Sequence, residues 1–308
     1  MRDVPERFRE RSRLKASIAG TLLLVGALTG CQASGADNAG ARASRTAVAS
    51  TPSATPAWNP APASIAAVGD SITRGFDACS VLADCPEASW ATGDDPQVRS
   101  LATRLREDTE AAAEGAENLS WNLARTGARV ADLAAQMNAA AQYRPELVTV
   151  MIGANDACRT SVDAMTPAPE FQEAFRRALV GLRAQLPKTQ VYVSSVPDLR
   201  RLWEQGRGSE LSTRVWKLGI CPSMLADPEA HDTAANARRA AVRSRVIEYN
   251  RALQEVCDRD ELCRYDGGAV FRYPFTTAQL STWDWFHPGI DGQARLAELA
   301  HRQITTVR

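Results

Sequence analysis

Ile65-Ala66-Ala67-Val68-Gly69-Asp70-Ser71-Ile72-Thr73 is a short apolar run that stops at a glycine and turns polar at once. A strand that is apolar without alternation is one buried on both faces, as in a parallel sheet covered by helices. The change at Gly69 marks a strand-to-helix turn, and in open α/β sheets ligands bind beyond the carboxyl ends of the strands. A serine at that turn has two possible uses. It can cap the helix with its hydroxyl, or it can face the crevice while helix-terminal N–H groups face an anion. Position alone leaves both open.

Working outward, further apolar runs occur at Leu119 to Asn122, Leu147 to Ile152 and Val191 to Val196, with a weaker fifth at Leu262 to Tyr265. Between them lie helical periodicities: Leu101 and Leu105; Val130, Leu133, Ala134 and Met137; Phe171, Phe175, Leu179, Leu182 and Leu186; Val242, Val246, Tyr249, Leu253 and Val256. A last helix is expected over residues 292–304. Each set follows the i, i+3, i+4, i+7 spacing that lays one stripe against a core. Strands alternating with helices predict one α/β domain with a mostly parallel sheet, covering residues 63–308.

The residues to examine are those just past each strand: Gly69-Asp70-Ser71, Asn122 to Gly127, Gly153-Ala154-Asn155-Asp156 and Pro197-Asp198. Asn155 can donate its amide to an oxyanion or form a local Asx-turn. Gly127 can bring a bare N–H to a ligand or supply a positive φ in a turn. A serine nucleophile needs a base, and the chain has 3 histidines. His301 falls within the last helix and His231 in the polar loop Asp227 to Asp232. His287 stands just ahead of that helix in Trp283-Asp284-Trp285-Phe286-His287-Pro288. Asp284, three residues earlier, can curl back to orient its ring. Trp283, Trp285 and Phe286 can line an acyl pocket or pack in the core, and Arg238, Arg239, Arg243 and Arg245 read as a solvated helix face.

The amino terminus reads as an address. Positive charges end at Lys15, and residues 16–30 are small or apolar, too short to span a bilayer that needs roughly twenty residues. Residues 1–30 fit a secretory signal, and Leu28-Thr29-Gly30-Cys31 resembles the lipobox of bacterial lipoproteins, which implies acylation of Cys31 and a membrane partner through that anchor. Residues 31–62 are rich in Ala, Ser, Thr and Pro and are expected to be a disordered tether. Lys plus Arg balance Asp plus Glu at 36 each. No basic stripe invites nucleic acid. Beyond Cys31 the cysteines are Cys79, Cys85, Cys158, Cys221, Cys257 and Cys263, an even set that in an exported chain suggests disulfides, with 15 pairings possible. Without a Cys-x-x-Cys pair or clustered histidines, no metal site is expected.

Taken in order, Gly69-Asp70-Ser71-Ile72, Asn122 to Gly127, Gly153-x-Asn155-Asp156 and Asp284-x-x-His287-Pro288 resemble the four blocks of the SGNH/GDSL hydrolase family. The cysteines resemble those of its disulfide-rich branch of secreted actinobacterial esterases. The resemblance spans about residues 64–305 and implies a three-layer, flavodoxin-like α/β/α domain. It also implies a serine esterase or lipase with Ser71 as nucleophile, His287 as base, and an oxyanion hole from the Ser71 and Gly127 N–H groups and the Asn155 side chain. No cofactor is implied. The substrate is expected to be a small-molecule, lipid or acylated-carbohydrate ester, so a carbohydrate acetyl esterase is the alternative activity. A non-catalytic envelope-binding protein on the same fold is a further one, and the chain is expected to be monomeric. Two departures matter. Ala124 stands where many members have another glycine. In some disulfide-rich relatives a backbone carbonyl replaces the carboxylate, so Asp284→Asn is expected to cost only about 10- to 100-fold. Sequential pairing is expected for the cysteines: Cys79–Cys85, Cys158–Cys221 and Cys257–Cys263.

Overall fold

The computed structural model describes residues 58–109 and 119–306. Strands β1 (Ile65–Gly69), β2 (Ser120–Asn122), β3 (Leu147–Met151), β4 (Gln190–Val193) and β5 (Cys263–Tyr265) form one sheet in the order β2-β1-β3-β4-β5. Every pairing is parallel. This is the flavodoxin-like order, with its switch point between β1 and β3. Residues of β1, β3 and β4 are buried throughout, as the unbroken apolar runs predict, while edge strand β2 is half-buried.

Helices cover both faces. On one, α3 (Leu133–Ala141), α5 (Ala168–Gln185) and α9 (Thr233–Cys257) pack in sequence. The stripe Phe171, Phe175, Leu179 and Leu182 of α5 is buried, and Phe171 stacks on Tyr249 of α9 with ring centroids 4.2 Å apart. On the other, α2 (Leu101–Glu107) packs against α11 (Ile290–Thr305). His301 of α11 bonds Asp108 at 2.6 Å, which is a structural tie between those helices.

The domain reaches further back than residue 63. The Trp58 indole donates to the Ile304 carbonyl at 2.9 Å and lies under the Arg264 guanidinium at 4.1 Å. Asn59 Nδ2 bonds Glu146, just ahead of β3, and the Asn59 carbonyl accepts from Gln190 at the start of β4. The chain therefore enters at the amino ends of the strands. Residues 1–57, which hold the expected signal, Cys31 and most of the tether, lie outside the described residues.

Between β4 and α9 the chain forms three helices absent from the expected set: α6 (Leu199–Gly206), which buries Leu199, Leu202 and Trp203 on one face, α7 (Glu210–Trp216) and α8 (Pro222–Leu225). Asp198 caps α6 by accepting from Arg200 and Arg201 N–H, and Ser209 caps α7. The arginine stretch on α9 is not a solvated face. Arg239 is fully buried, donates to the Ala230 and Asp227 carbonyls, and stacks on Trp203 at 4.0 Å. Arg243 pairs with Asp198 at 2.8 Å, and Arg245 donates to Thr166.

The disulfides join Cys79 to Cys85, Cys158 to Cys221 and Cys257 to Cys263. Cys158–Cys221 ties the segment after β3 to the α6–α8 insertion across 63 residues, a closure that stabilises by about 4 kcal/mol on loop-entropy grounds, against about 2 kcal/mol for a six-residue separation. Replacing both Cys158 and Cys221 with serine is expected to lower the melting temperature by about 10 °C, several degrees more than the Cys79/Cys85 double replacement. Calorimetry of the two variants checks the ranking, and equal shifts would contradict it.

Candidate active site

Three neighbouring strands, β2, β1 and β3, deliver the first three polar blocks to one edge of the sheet. Gly69 ends β1 at φ +147°, where an added Cβ would stand 2.2 Å from the Met151 carbonyl oxygen, so only glycine lets β1 and β3 finish this close. The Gln136 side chain of α3 holds that turn from behind, accepting from Gly69 N–H at 2.7 Å and donating to its carbonyl at 2.9 Å.

The turn opens helix α1 (Ser71–Arg74), and its cap is Asp70, whose Oδ1 accepts from Ile72 N–H at 3.0 Å. Ser71 is thereby released from capping, which answers the ambiguity left by its position. Its Oγ instead lies 2.8 Å from His287 Nε2. The other Asp70 oxygen is buried with no hydrogen-bond partner among the described residues, and burial pushes this carboxyl up to about 7.

His287 comes from the loop before α11. Its Nδ1 meets Asp284 Oδ2 at 2.5 Å, while Asp284 Oδ1 accepts from the backbone N–H groups of Phe286 and His287, each at 2.9 Å. Among the described residues the Nδ1 partner is this carboxylate and not a backbone carbonyl. The loop is pinned three ways. Ser281 N–H donates to the His287 carbonyl at 2.7 Å, Ser281 Oγ donates to the Asp77 carbonyl at 2.6 Å, and the Trp216 indole donates to the Asp284 carbonyl at 2.9 Å. The Phe76 ring stands edge-on to the imidazole, centroids 5.1 Å apart.

Burial opposes charge on His287. The hydrogen bond and charge of Asp284, with Asp70 and Asp77 adding to them, outweigh it and hold the imidazole pKa above its ordinary 6.5. Asp284 is buried too, but its bond to His287 and its two backbone donors keep its pKa low. One ligand atom each of Asp77, Asp284 and His287 fall within 4.8 Å of one another, a spacing that suits a cation. Asp284 and His287, however, are already bonded to each other through Oδ2 and Nδ1.

Asn155 sits in the single turn α4 (Ala154–Ala157), which follows β3. Its Nδ2 donates to the Ala128 carbonyl at 3.0 Å, so the side chain braces the block after β2. Asp156 completes the brace, accepting from Val130 N–H at 2.9 Å and Thr166 Oγ1 at 2.7 Å. Gly127, in the braced loop, is exposed at φ +82°.

The family model for GDSL-like lipases and acylhydrolases matches residues 65–300, an interval that carries all of these elements. The chain belongs to that family. As a GDSL acylhydrolase it is a carboxylic ester hydrolase. No curated protein matches it by sequence. Among solved structures it is similar to the lipase Lip_vut3 from a goat rumen metagenome at 14% identity and a TM-score of 0.50, over 78% of this chain and 96% of that one. It is also similar to the extracellular lipase of Streptomyces rimosus (16% identity, TM-score 0.45, 79% and 99% covered) and to phospholipase A1 of Streptomyces albidoflavus (18%, 0.46, 80% and 100%). At these identities the likeness concerns the fold.

Within this GDSL hydrolase the other two histidines stand apart from the site. His231 bonds Arg207 on the surface, and His301 bonds Asp108. The aromatic trio divides: Trp283 is exposed, Trp285 half-buried and Phe286 buried. Phe286 lines a small apolar cavity with Ile72, Ala154, Leu199 and Pro288 that encloses about 10 Å³. Asp77, Gln136 and Trp216 are the supporting residues that reading the sequence misses, whereas Asp156 belongs to the third block and only its bracing role is new. Each of the three missed is an isolated residue whose partner is distant in sequence and carries no motif.

Proposed function

We propose that this hydrolase cleaves esters by acyl transfer through Ser71, with His287 as general base and Asp284 as the group that orients it. The observation that carries this reading is the continuous hydrogen-bonded line Ser71 Oγ, His287 Nε2, His287 Nδ1, Asp284 Oδ2 at 2.8 and 2.5 Å. Ser71 attacks the ester carbonyl carbon while Nε2 takes its proton. The resulting imidazolium is stabilised by Asp284 and then protonates the departing alcohol. Water, deprotonated by the same imidazole, attacks the acyl-serine and releases the acid.

The negative oxygen of the tetrahedral intermediate would be held by N–H groups of Ser71 and Gly127 and by Asn155 Nδ2. Ser71 is the first residue of α1, where backbone donors lack intrahelical acceptors. Each such donor is worth on the order of 3 kcal/mol in comparable sites. Labelling with a fluorophosphonate probe followed by peptide mapping tests the assignment. The label is expected on Ser71, and labelling elsewhere or none would overturn it.

The apolar cavity bounded by Phe286, Ile72 and Ala154 has room for about one water-sized group. It supports a second reading, a short-acyl esterase that removes acetyl groups, including those of polysaccharides. A graded series of nitrophenyl esters set against acetylated xylan separates it from a long-chain lipase.

We also propose that Cys31 is acylated and holds the protein at a membrane. The basis is the Leu28-Thr29-Gly30-Cys31 motif after an apolar stretch too short to span. Wild-type protein is then expected in the membrane fraction and Cys31→Ser outside it. A wild type that is fully soluble with an intact amino terminus would end this reading.

A further inference from the structure

Asp77 lies in the loop after α1, is 2% exposed, and adopts φ +57°. Its N–H donates to the Ala83 carbonyl at 3.0 Å, and its Oδ1 accepts from Leu82 N–H at 2.5 Å, both within the Cys79–Cys85 loop. Its own carbonyl accepts from Ser281 Oγ, at the root of the His287 loop. Two segments more than 200 residues apart in sequence are thus stitched together at this one residue. Its carboxyl group also faces Asp284, with one oxygen of each and a ring nitrogen of His287 all within 4.8 Å.

Two buried carboxyl groups in contact cannot both keep a negative charge cheaply, so they share a proton over part of the pH range. Asp284 accepts three N–H donors and Asp77 accepts one, so the proton rests on Asp77. We propose that Asp77 is a positioning residue of the catalytic site. It locks the disulfide loop to the His287 loop and forms with Asp284 a carboxyl pair that sets the basicity of His287. The inference rests on the reading of His287 as the base.

Burial and the charge of Asp284 push the Asp77 carboxyl up to about 6. Below that pH, Asp77 is a neutral acid that donates to Asp284, and a single negative charge faces the imidazole. Above it a second negative charge appears, which favours the imidazolium and keeps His287 protonated to higher pH. Other charged groups near the cluster include Asp70, behind Ser71 and itself influenced by Asp156, the Arg74–Asp84 pair at 3.0 Å, which reaches into the disulfide loop, and Glu87 against Cys85.

The test is the substitution Asp77→Asn. Asparagine tolerates a positive φ, can still accept from Leu82 N–H, and imitates the neutral acid permanently. The acid limb of kcat/KM on a soluble nitrophenyl ester is expected to move down by about half to one pH unit. The His287 imidazole, followed by NMR in the same two proteins, is expected to titrate at correspondingly lower pH. Asp77→Leu, which can neither donate nor accept, is expected to lower kcat about tenfold with little change in KM. Superimposable acid limbs and imidazole titrations for wild type and Asp77→Asn would overturn the proposal, even if Asp77→Leu fails to fold. The NMR titration does not depend on catalysis. A shifted imidazole in an enzyme whose Ser71 proves dispensable would therefore reject the mechanism and spare this pairing.

Discussion

Ser71→Ala is expected to lower kcat/KM for ester hydrolysis by about 10⁶-fold, the scale of removing a serine nucleophile from a hydrogen-bonded triad. The effect should be purely chemical. The helix that carries Ser71 is capped by Asp70, and among the described residues the Ser71 hydroxyl bonds His287 alone. No other described side chain leans on that hydroxyl, so the melting temperature should stay within a degree or two of wild type. The measurement is kcat/KM on a short nitrophenyl ester beside a thermal melt. Ordinary turnover in a folded Ser71→Ala protein would remove the mechanism altogether, and with it the roles given to Asn155 and Gly127.

His287→Ala should approach the same loss, and Asp284→Asn should fall about 10⁴-fold at neutral pH. This is a heavier cost for Asp284 than the sequence leads one to expect, because the position of a substitute carbonyl is invisible there. In the structure the carboxylate itself takes Nδ1, and the Asp284 carbonyl is engaged by Trp216. An amide at 284 can present its N–H to Nδ1, which favours the tautomer whose Nε2 carries the proton and cannot accept from Ser71. The sign of the pH effect follows from the raised imidazole pKa. Wild-type activity should rise as pH passes upward through a value above 6.5, since only neutral His287 serves as base. Loss of the negative neighbour lowers that pKa, so the acid limb of Asp284→Asn should begin at lower pH while its plateau is far beneath wild type. A loss of only ten- to a hundredfold would mean that another acceptor takes the proton of Nδ1.

What could be read in advance divides along a physical line. The central strands were legible because burial on both faces writes an unbroken apolar run, and the Phe171 to Leu182 stripe because one helix face meets the sheet layer. The α6–α8 insertion was not. Its helices are short; α6 and α7 begin on caps at Asp198 and Ser209, and the buried stripe Leu199, Leu202 and Trp203 of α6 spans too few residues to stand out beside the arginines and glutamate that surround it. The arginines of α9 misled for a related reason, since charge suggests solvent unless the carbonyls and aromatic ring that receive it are in view. In the site, the four blocks are local in sequence and so could be read. Asp77 and Gln136 act only through partners that folding brings to them. Trp58 closes a stretch of alanine, proline and threonine, and its partners Ile304 and Arg264 lie more than 200 residues away.

That indole fixes a polarity. Trp58 and Asn59 dock at the amino ends of the strands, whereas Ser71, Asn155 and His287 gather at the carboxyl ends. If the chain is held by a lipid at Cys31, its leash is fastened to the back of the enzyme. The 27 residues from Cys31 to Trp58 reach at most roughly 90 to 100 Å when fully extended. A leash that long, about twice the width of a domain of this size, would leave the mouth free to turn toward the bilayer or away from it, so fastening at the rear would keep the entrance clear of the leash without choosing the ester.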